Sequence, residues 1–579
     1  MSPLARKQTE KQNFLIGTFI LVLSNAIVKI IGAVFKIPLM DIIGEKSYGV
    51  FISAYNVYAW IFVVATAGLP VAVSKMVAEN KALGKSSEIS RILRVVLTAF
   101  SIVGLIGSLL LFFGAETFAE MVRNPSAKEA IMAVAPAIFF VCIMATFRGY
   151  FQGQSNMVPT SISQIIEALC KLIIGLGLAY GLIHAGYPSN IVVAGAIFGV
   201  TVGSVLGAVV LIFIKRRNPL IIPARERSNT VSSRREILKK FIMIAIPITI
   251  GASVVNLTVL IDNFVVMDRL KYIFENMLNG MGIDRVYSVI VSAMPQYEAV
   301  VKSALADPEV MSVPAAIDAM ANILWGAYSG MALNLFTLPT ALITAVSISV
   351  LPAVSAAYVK GDSFAVSKTV ETSMRFVVML SLPIAAGFFV MAGPILNLLF
   401  ASSPIGAEIA APLLQSLSFG VLFICLVSLT NALLQATGRV QLPVLHMLIG
   451  GIVKFAANWI LIGTPEINIS GTPVGTVLCY GIITVLNLIA IIKSVKIRSG
   501  LFSMIAKPLL ASAVMGVGVY FAYGPIDSLI GGKTATILAI FLGALIYFVS
   551  LLISRYIKRA DVLMLPKGER IAKLLEKLL

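Results

Sequence analysis

The sequence predicts an all-α fold: a polytopic membrane protein of about 14 transmembrane helices, arranged as two parallel six-helix repeats plus two C-terminal helices. The apolar composition, the placement of the basic residues and an internal duplication each point there. Of 579 residues, 58% are hydrophobic and 12% charged, and mean hydropathy is +0.96. Soluble domains are about one-quarter charged, so a water-solvated globule is excluded.

Read in order, the apolar runs place spans at residues 14–39, 48–74, 95–114, 130–147, 158–183, 190–214, 241–267, 325–356, 376–400, 410–436, 442–463, 471–492, 508–526 and 535–554. A helix needs roughly 20 apolar residues to cross the hydrocarbon layer. Arg6, Lys7 and Lys11 precede a first run that lacks a small-x-small cleavage site, so it is expected to stay as an uncleaved helix. With the N-terminus inside, cytoplasmic segments hold 33 Lys/Arg: 3 before the first span, then 5, 1, 9, 3, 1 and 4 in successive loops, and 7 in the tail. External segments hold 8. The positive-inside rule therefore puts both termini in the cytoplasm. The net charge of +18 belongs to this pattern rather than to nucleic-acid binding.

The segment Phe140-Val141-Cys142, Gln152 and Lys171 recurs as Phe423-Ile424-Cys425, Gln435 and Lys454, each pair 283 residues apart. Pro159 and Pro443 match at 284, and Leu69-Pro70 matches Leu351-Pro352 at 282. The expected organisation is a six-helix N-terminal lobe (1–214), a basic cytoplasmic linker (215–240), a six-helix C-terminal lobe (241–500), and helices 13–14 with a basic tail (501–579) that lies on the anionic inner leaflet. Both lobes start inside, which makes them parallel repeats suited to alternating access around a central site. From Pro38 to Pro70 is 32 residues, whereas Asp262 to Pro352 is 90, so about 267–320 is an external insertion. Its mixed charged and apolar residues suit short amphipathic helices, serving as a surface cap or as a gate.

Four cations fall within spans: Lys29, Lys36, Lys171 and Lys454. An ammonium at mid-bilayer costs roughly 2.5–3.5 kcal/mol. Lys36 is near a helix end, where it either snorkels to the interface or joins a cavity. Lys29, Lys171 and Lys454 are deep and at similar depth, which argues for a hydrated, protein-lined cavity over separate structural lysines. Glu167 precedes Lys171 by four residues, the favourable order for an ion pair on one helix face, either static or titrating. Asp262 is an interfacial carboxylate or, with Asn256 and Asn263, a site for a coupling ion. In Arg148-Gly149-Tyr150-Phe151-Gln152-Gly153, the glycines allow close helix approach and Pro159 suits the first turn of the next helix. Arg148 either anchors that turn at the inner surface or grips a phosphate.

No enzyme motif is present. Gly532-Lys533-Thr534 resembles the end of a phosphate-binding loop, but Asp527 stands where the earlier glycine is required. Cys142, Cys170, Cys425 and Cys479 lie in apolar runs, and His184 and His446 are far apart in sequence, so neither a disulfide framework, a metal site nor a cofactor is expected.

The stretches Leu69-Pro70-Val71-Ala72-Val73-Ser74-Lys75-Met76-Val77-Ala78-Glu79 and Arg148 to Lys171 resemble a known family. The chain is similar to the stage V sporulation protein B/YtgP-like branch of the multidrug/oligosaccharidyl-lipid/polysaccharide flippase superfamily, related to lipid II flippases. The resemblance implies a bacterial plasma-membrane transporter that exports an undecaprenyl-diphosphate-linked saccharide, with lipid II the leading candidate. It also implies cavity-facing cations in the first helix, where this chain has Lys29 and Lys36. The partners it implies are a lipid-linked oligosaccharide and the bilayer, with cell-wall synthesis proteins a further class and no nucleic acid. Two rivals stand beside it. A cation-coupled multidrug antiporter would need carboxylates where this chain has lysines, and a scaffold of a cell-wall or sporulation complex would transport nothing.

Overall fold

The computed structural model describes residues 3–217, 232–495, 501–554 and Tyr556. Most of the basic linker and nearly all of the basic tail lie outside the described residues. So do the side chains of Lys29 and Asn256, although both positions sit on helices. Every regular element among the described residues is helical. The chain divides into two compact units, Met1–Asp268 and Arg269–Leu579.

The first unit begins with α1 (Pro3–Thr66), which is two helices meeting at Gly44, whose φ of 75° and ψ of 168° leave the helical region. A glycine is required there because φ is positive. The break falls between the first two expected spans. Next come α2 (Leu69–Ala82), α3 (Ser86–Phe113), the short α4 (Ala115–Met121), α5 (Lys128–Gly153), α6 (Val158–His184) and α7 (Ser189–Arg217). Pro159 occupies the first turn of α6, as expected. Helix α8 (Arg234–Leu278) crosses into the second unit. Its first half packs in the core of unit 1: Ile237, Phe241 and Ala245 join Leu69, Val73, Val96, Met144, Tyr150 and Leu211. The Gly68 amide also donates to Thr249 Oγ1 at 3.1 Å. The span at 241–267 thus belongs to the first compact unit, whereas the repeat assigns it to the second lobe.

In unit 2 the segment expected as an insertion folds as α9 (Val286–Ala293) and α10 (Glu298–Leu305), followed by α11 (Val313–Trp325). The helices are short and amphipathic, burying Val286, Ile290, Val300, Val301 and Ala304. Lys271 is paired with Asp318. A π-helical turn, Gly326–Ala332, separates α11 from α12 (Leu333–Thr337) and α13 (Pro339–Val359). Then come α14 (Ser363–Leu399), α15 (Pro404–Ser418), α16 (Val421–Ala436), α17 (Gln441–Ile462), α18 (Gly471–Ser494), α19 (Leu501–Ile530) and α20 (Gly532–Ile553). Met391, Ala511, Met515, Ala539, Tyr547 and Leu551 form the core that joins α14, α19 and α20.

Among the described residues ten helices are long and apolar enough to cross a membrane, or eleven if α15 and α16, bent by 56°, form one span. The other three expected spans, 14–39, 241–267 and 325–356, lie on α1, α8 and α11–α13. Each includes side chains outside the described residues, and the last is also interrupted by the π turn. Large apolar side chains such as Phe113, Phe521 and Leu529 are exposed on α3 and α19. Such surfaces are stable against acyl chains and not against water.

The duplication recurs in backbone geometry. Helix α5 ends at a residue with positive φ, Ser155 (64°), and α16 at Gly438 (79°), 283 residues on. Around Ser155, its amide donates to Gln152 O at 2.9 Å and the Asn156 amide to Phe151 O at 3.0 Å. Around Gly438, its amide donates to Gln435 O at 3.1 Å and the Arg439 amide to Leu434 O at 2.9 Å. Both are the same left-handed helix cap.

A candidate cation site on the sixth helix

Helix α6 is set by close backbone packing. Gly203 of α7 lies so near the Glu167 carbonyl that an added Cβ would stand 2.8 Å from it, and at Gly199 one would stand 3.3 Å from the Lys171 carbonyl. Small residues at such a contact let two helices approach and fix their register. On the other side Gly149 and Gly153 of α5 meet α2 in the same way, with added Cβ atoms 2.8 Å from Pro70 O and 2.6 Å from Ser74 O. The expected role of both glycines is met.

This framework places three charged side chains. Arg148 donates from Nε to Ser163 Oγ at 2.9 Å and from Nη2 to Glu167 Oε2 at 2.9 Å. Ser163 in turn donates to Thr160 O at 2.8 Å, which leaves its oxygen to accept from Arg148. The expected Glu167–Lys171 pair is corrected here: Glu167 is engaged from α5, across the helix interface.

Lys171 instead lies over aromatic faces, its Nζ 4.2 Å from the ring centroid of Tyr55 and 4.9 Å from that of Phe35. Both rings belong to α1. Tyr48, Phe51, Tyr55, Tyr58 and Phe62 form a continuous ladder along that helix, with centroid spacings of 5.8 to 6.1 Å. A desolvated ammonium over such faces gains about 0.5–2 kcal/mol. Phe35 is the residue next to Lys36, so Lys171 sits against the stretch of α1 that carries Lys36. Tyr58 continues the ladder beyond Tyr55 and is buried.

The remaining predicted residues are placed elsewhere. Lys454, half-buried on α17, is the counterpart of Lys171 in unit 2; Gly475 of α18 lies beside its carbonyl as Gly199 lies beside that of Lys171. Gln152 and Gln435 contribute their carbonyls to the two helix caps. Asp262 is buried on α8. Asn263 is fully buried, its Oδ1 accepting from Ser53 Oγ at 3.3 Å and Asn56 Nδ2 at 3.4 Å. Sequence reasoning missed Phe35, Tyr55 and Ser163. The 3- and 4-residue spacing of the aromatics from Tyr48 to Phe62 is the signal that marks one helix face.

A helical, multi-pass membrane protein that seats a lysine of one helix on the aromatic faces of another has the features of a transporter. The chain belongs to the polysaccharide biosynthesis protein family, whose model matches residues 14–358. A second model, for lipid II flippases of the MurJ type, matches residues 286–526. Stage V sporulation protein B of Bacillus subtilis (strain 168) is 24% identical over 96% of this chain and 98% of its own length. The lipid II flippase MurJ of the same organism is 23% identical over 87% of each. Among solved structures, an inward closed lipid II flippase MurJ superimposes with a TM-score of 0.62 at 15% identity, covering 93% of this chain and 98% of that one. The chain is thus a flippase- or transporter-type membrane protein of that family.

Proposed function

We propose that this protein moves an undecaprenyl-diphosphate-linked saccharide from the inner to the outer leaflet by alternating access, with lipid II the leading substrate. The observation that carries this reading is the seat of Lys171 over Phe35, the residue next to Lys36, while the nearby acid, Glu167, is held by Arg148. Two lysines carried on neighbouring stretches of α1 and α6 suit an anionic headgroup, and a diphosphate supplies two adjacent negative groups. Lys29 would serve the same headgroup from α1, Lys454 would be its counterpart in the second unit, and Arg148, by holding Glu167, would keep the acid away from it. Kinship supports the substrate class, since one relative is named for lipid II. The same charges disfavour a cationic drug, which would be repelled.

The test is flipping in proteoliposomes that contain a fluorescent undecaprenyl-diphosphate saccharide. Lys36→Gln and Lys171→Gln should each slow flipping at least about tenfold, and a Lys171→Arg variant should retain most of it. Wild-type protein that leaves this lipid on the inner leaflet, or neutral variants that flip at the wild-type rate, would refute the assignment.

A further inference from the structure

The 283-residue offset that relates Lys171 to Lys454 also pairs Arg148 with Asn431, Ser163 with His446, Glu167 with Gly450 and Ser204 with Asn487. In unit 1 these positions hold a fixed ion pair and its hydroxyl support. In unit 2 the cation has become an amide, the acid a glycine, and the serine a histidine. The three polar replacements are bonded into one network across α16, α17 and α18. His446 Nδ1 lies 2.7 Å from Asn487 Oδ1, and Asn487 Nδ2 donates to Thr430 Oγ1 at 2.9 Å and to Asn431 Oδ1 at 2.8 Å. His446 and Asn487 are both buried.

Proton counting fixes the tautomer. Thr430 donates its hydroxyl hydrogen to Leu426 O at 2.7 Å, so it must accept from Asn487. The Asn487 amide hydrogens therefore point to Thr430 and Asn431, and its Oδ1 faces the ring as an acceptor. His446 Nδ1 must then carry the hydrogen, which leaves the Nε2 lone pair available in the neutral ring. A proton added at Nε2 makes an imidazolium whose Nδ1–H keeps the same acceptor in a stronger, charge-assisted bond. The seat is complete in both protonation states.

Helices α16, α17 and α18 carry no carboxylate; their titratable or charged groups besides His446 are Cys425 on α16, Lys454 on α17, and Cys479, Tyr480 and Lys493 on α18. Lys454 is eight residues along α17, roughly 12 Å by helix rise. At Gly450 an added Cβ would meet the Ile483 side chain and the Cys479 carbonyl, so α17 and α18 are locked together one turn from the ring. We propose that His446, oriented by Asn487, is a proton-binding site of the second unit, and that its occupancy sets the rate of transport. This coupling to protons rests on the transport reading above.

The test starts from the unmodified ring. Protein labelled with 15N-histidine in lipid nanodiscs, in a His184→Gln background so that His446 is the single histidine, should show a neutral ring protonated at Nδ1 that gains a proton at Nε2 as the sample is scanned from about pH 8 to 5. Asn487→Leu should erase the tautomer preference. In proteoliposomes, flipping by wild type should change at least about fivefold across that range, while His446→Asn should flip at a rate that varies less than about twofold. A ring that keeps one protonation state throughout, or a His446→Asn profile that follows wild type, would overturn the proposal. Titration of His446 in a protein that flips no lipid at any pH would leave the proton site standing and remove the transport reading instead.

Discussion

Arg148 and Glu167 meet across two helices, 2.9 Å apart, with the Ser163 hydroxyl bound to the same guanidinium. Removing one partner leaves a charge without its counter-charge in a poorly hydrated interface. A fully buried pair broken this way costs about 3–5 kcal/mol. Here the Glu167 side chain keeps 25% of its exposure and that of Arg148 13%, which reduces the expectation to about 1–3 kcal/mol. Arg148→Ala and Glu167→Ala should each lower the midpoint of thermal unfolding in detergent more than the double variant Arg148→Gln/Glu167→Gln does. Single variants no worse than the double would show that the two groups are not coupled.

Glycine position decides the sign of a small substitution. Gly153→Ala must displace the α2 backbone, because its Cβ would lie 2.6 Å from Ser74 O, and a loss of about 1–3 kcal/mol is expected. Gly177 on α6 faces open space, so Gly177→Ala should gain up to about 0.5–1 kcal/mol from helix propensity. Unfolding midpoints of the two variants should move in opposite directions.

Tyr55 seats Lys171 through its ring face, not its hydroxyl. Tyr55→Leu removes about 0.5–2 kcal/mol of cation–π stabilisation, so apparent affinity for the lipid-linked substrate should fall roughly 2- to 30-fold. Tyr55→Phe should behave as wild type. Equal losses in both variants would assign the contact to the hydroxyl and contradict the proposed geometry.

In the insertion, Glu298 accepts hydrogen bonds from both Lys302 and Tyr287, which hold its carboxyl below the ordinary value of 4.5. A carboxylate whose folded value is depressed stabilises the fold above its unfolded value, and the effect is lost as pH falls through the folded one. Amides of α10 should therefore exchange more slowly in wild type than in Glu298→Gln at about pH 6, and this difference should vanish at pH values well below 4.5. A difference that persisted in acid would assign it to packing.

The duplicated landmarks were readable because a helix end demands particular backbone geometry: the glycines near Arg148 meet α2 and Pro159 opens α6, while Gln152 and Gln435 contribute backbone carbonyls to the two helix caps. The partner of Glu167 was not readable. Spacing of four residues identifies neighbours on one helix, but only the tertiary contact between α5 and α6 shows that Arg148 reaches the acid first. The aromatic seat of Lys171 has the same cause, since Phe35 and Tyr55 lie more than a hundred residues away from it. Short-range pattern gives faces, and packing decides which faces meet.

The shared 283-residue ruler makes each half an internal control for the other. Features kept in both copies, such as the left-handed caps at Ser155 and Gly438, are what a bundle of this shape demands of any sequence. Features that differ at matching seats, ion pair on one side and imidazole on the other, mark where the two copies have diverged. Swapping those seats between the copies, instead of merely deleting them, would ask whether the ancestral symmetric molecule could still do the work of its asymmetric descendant.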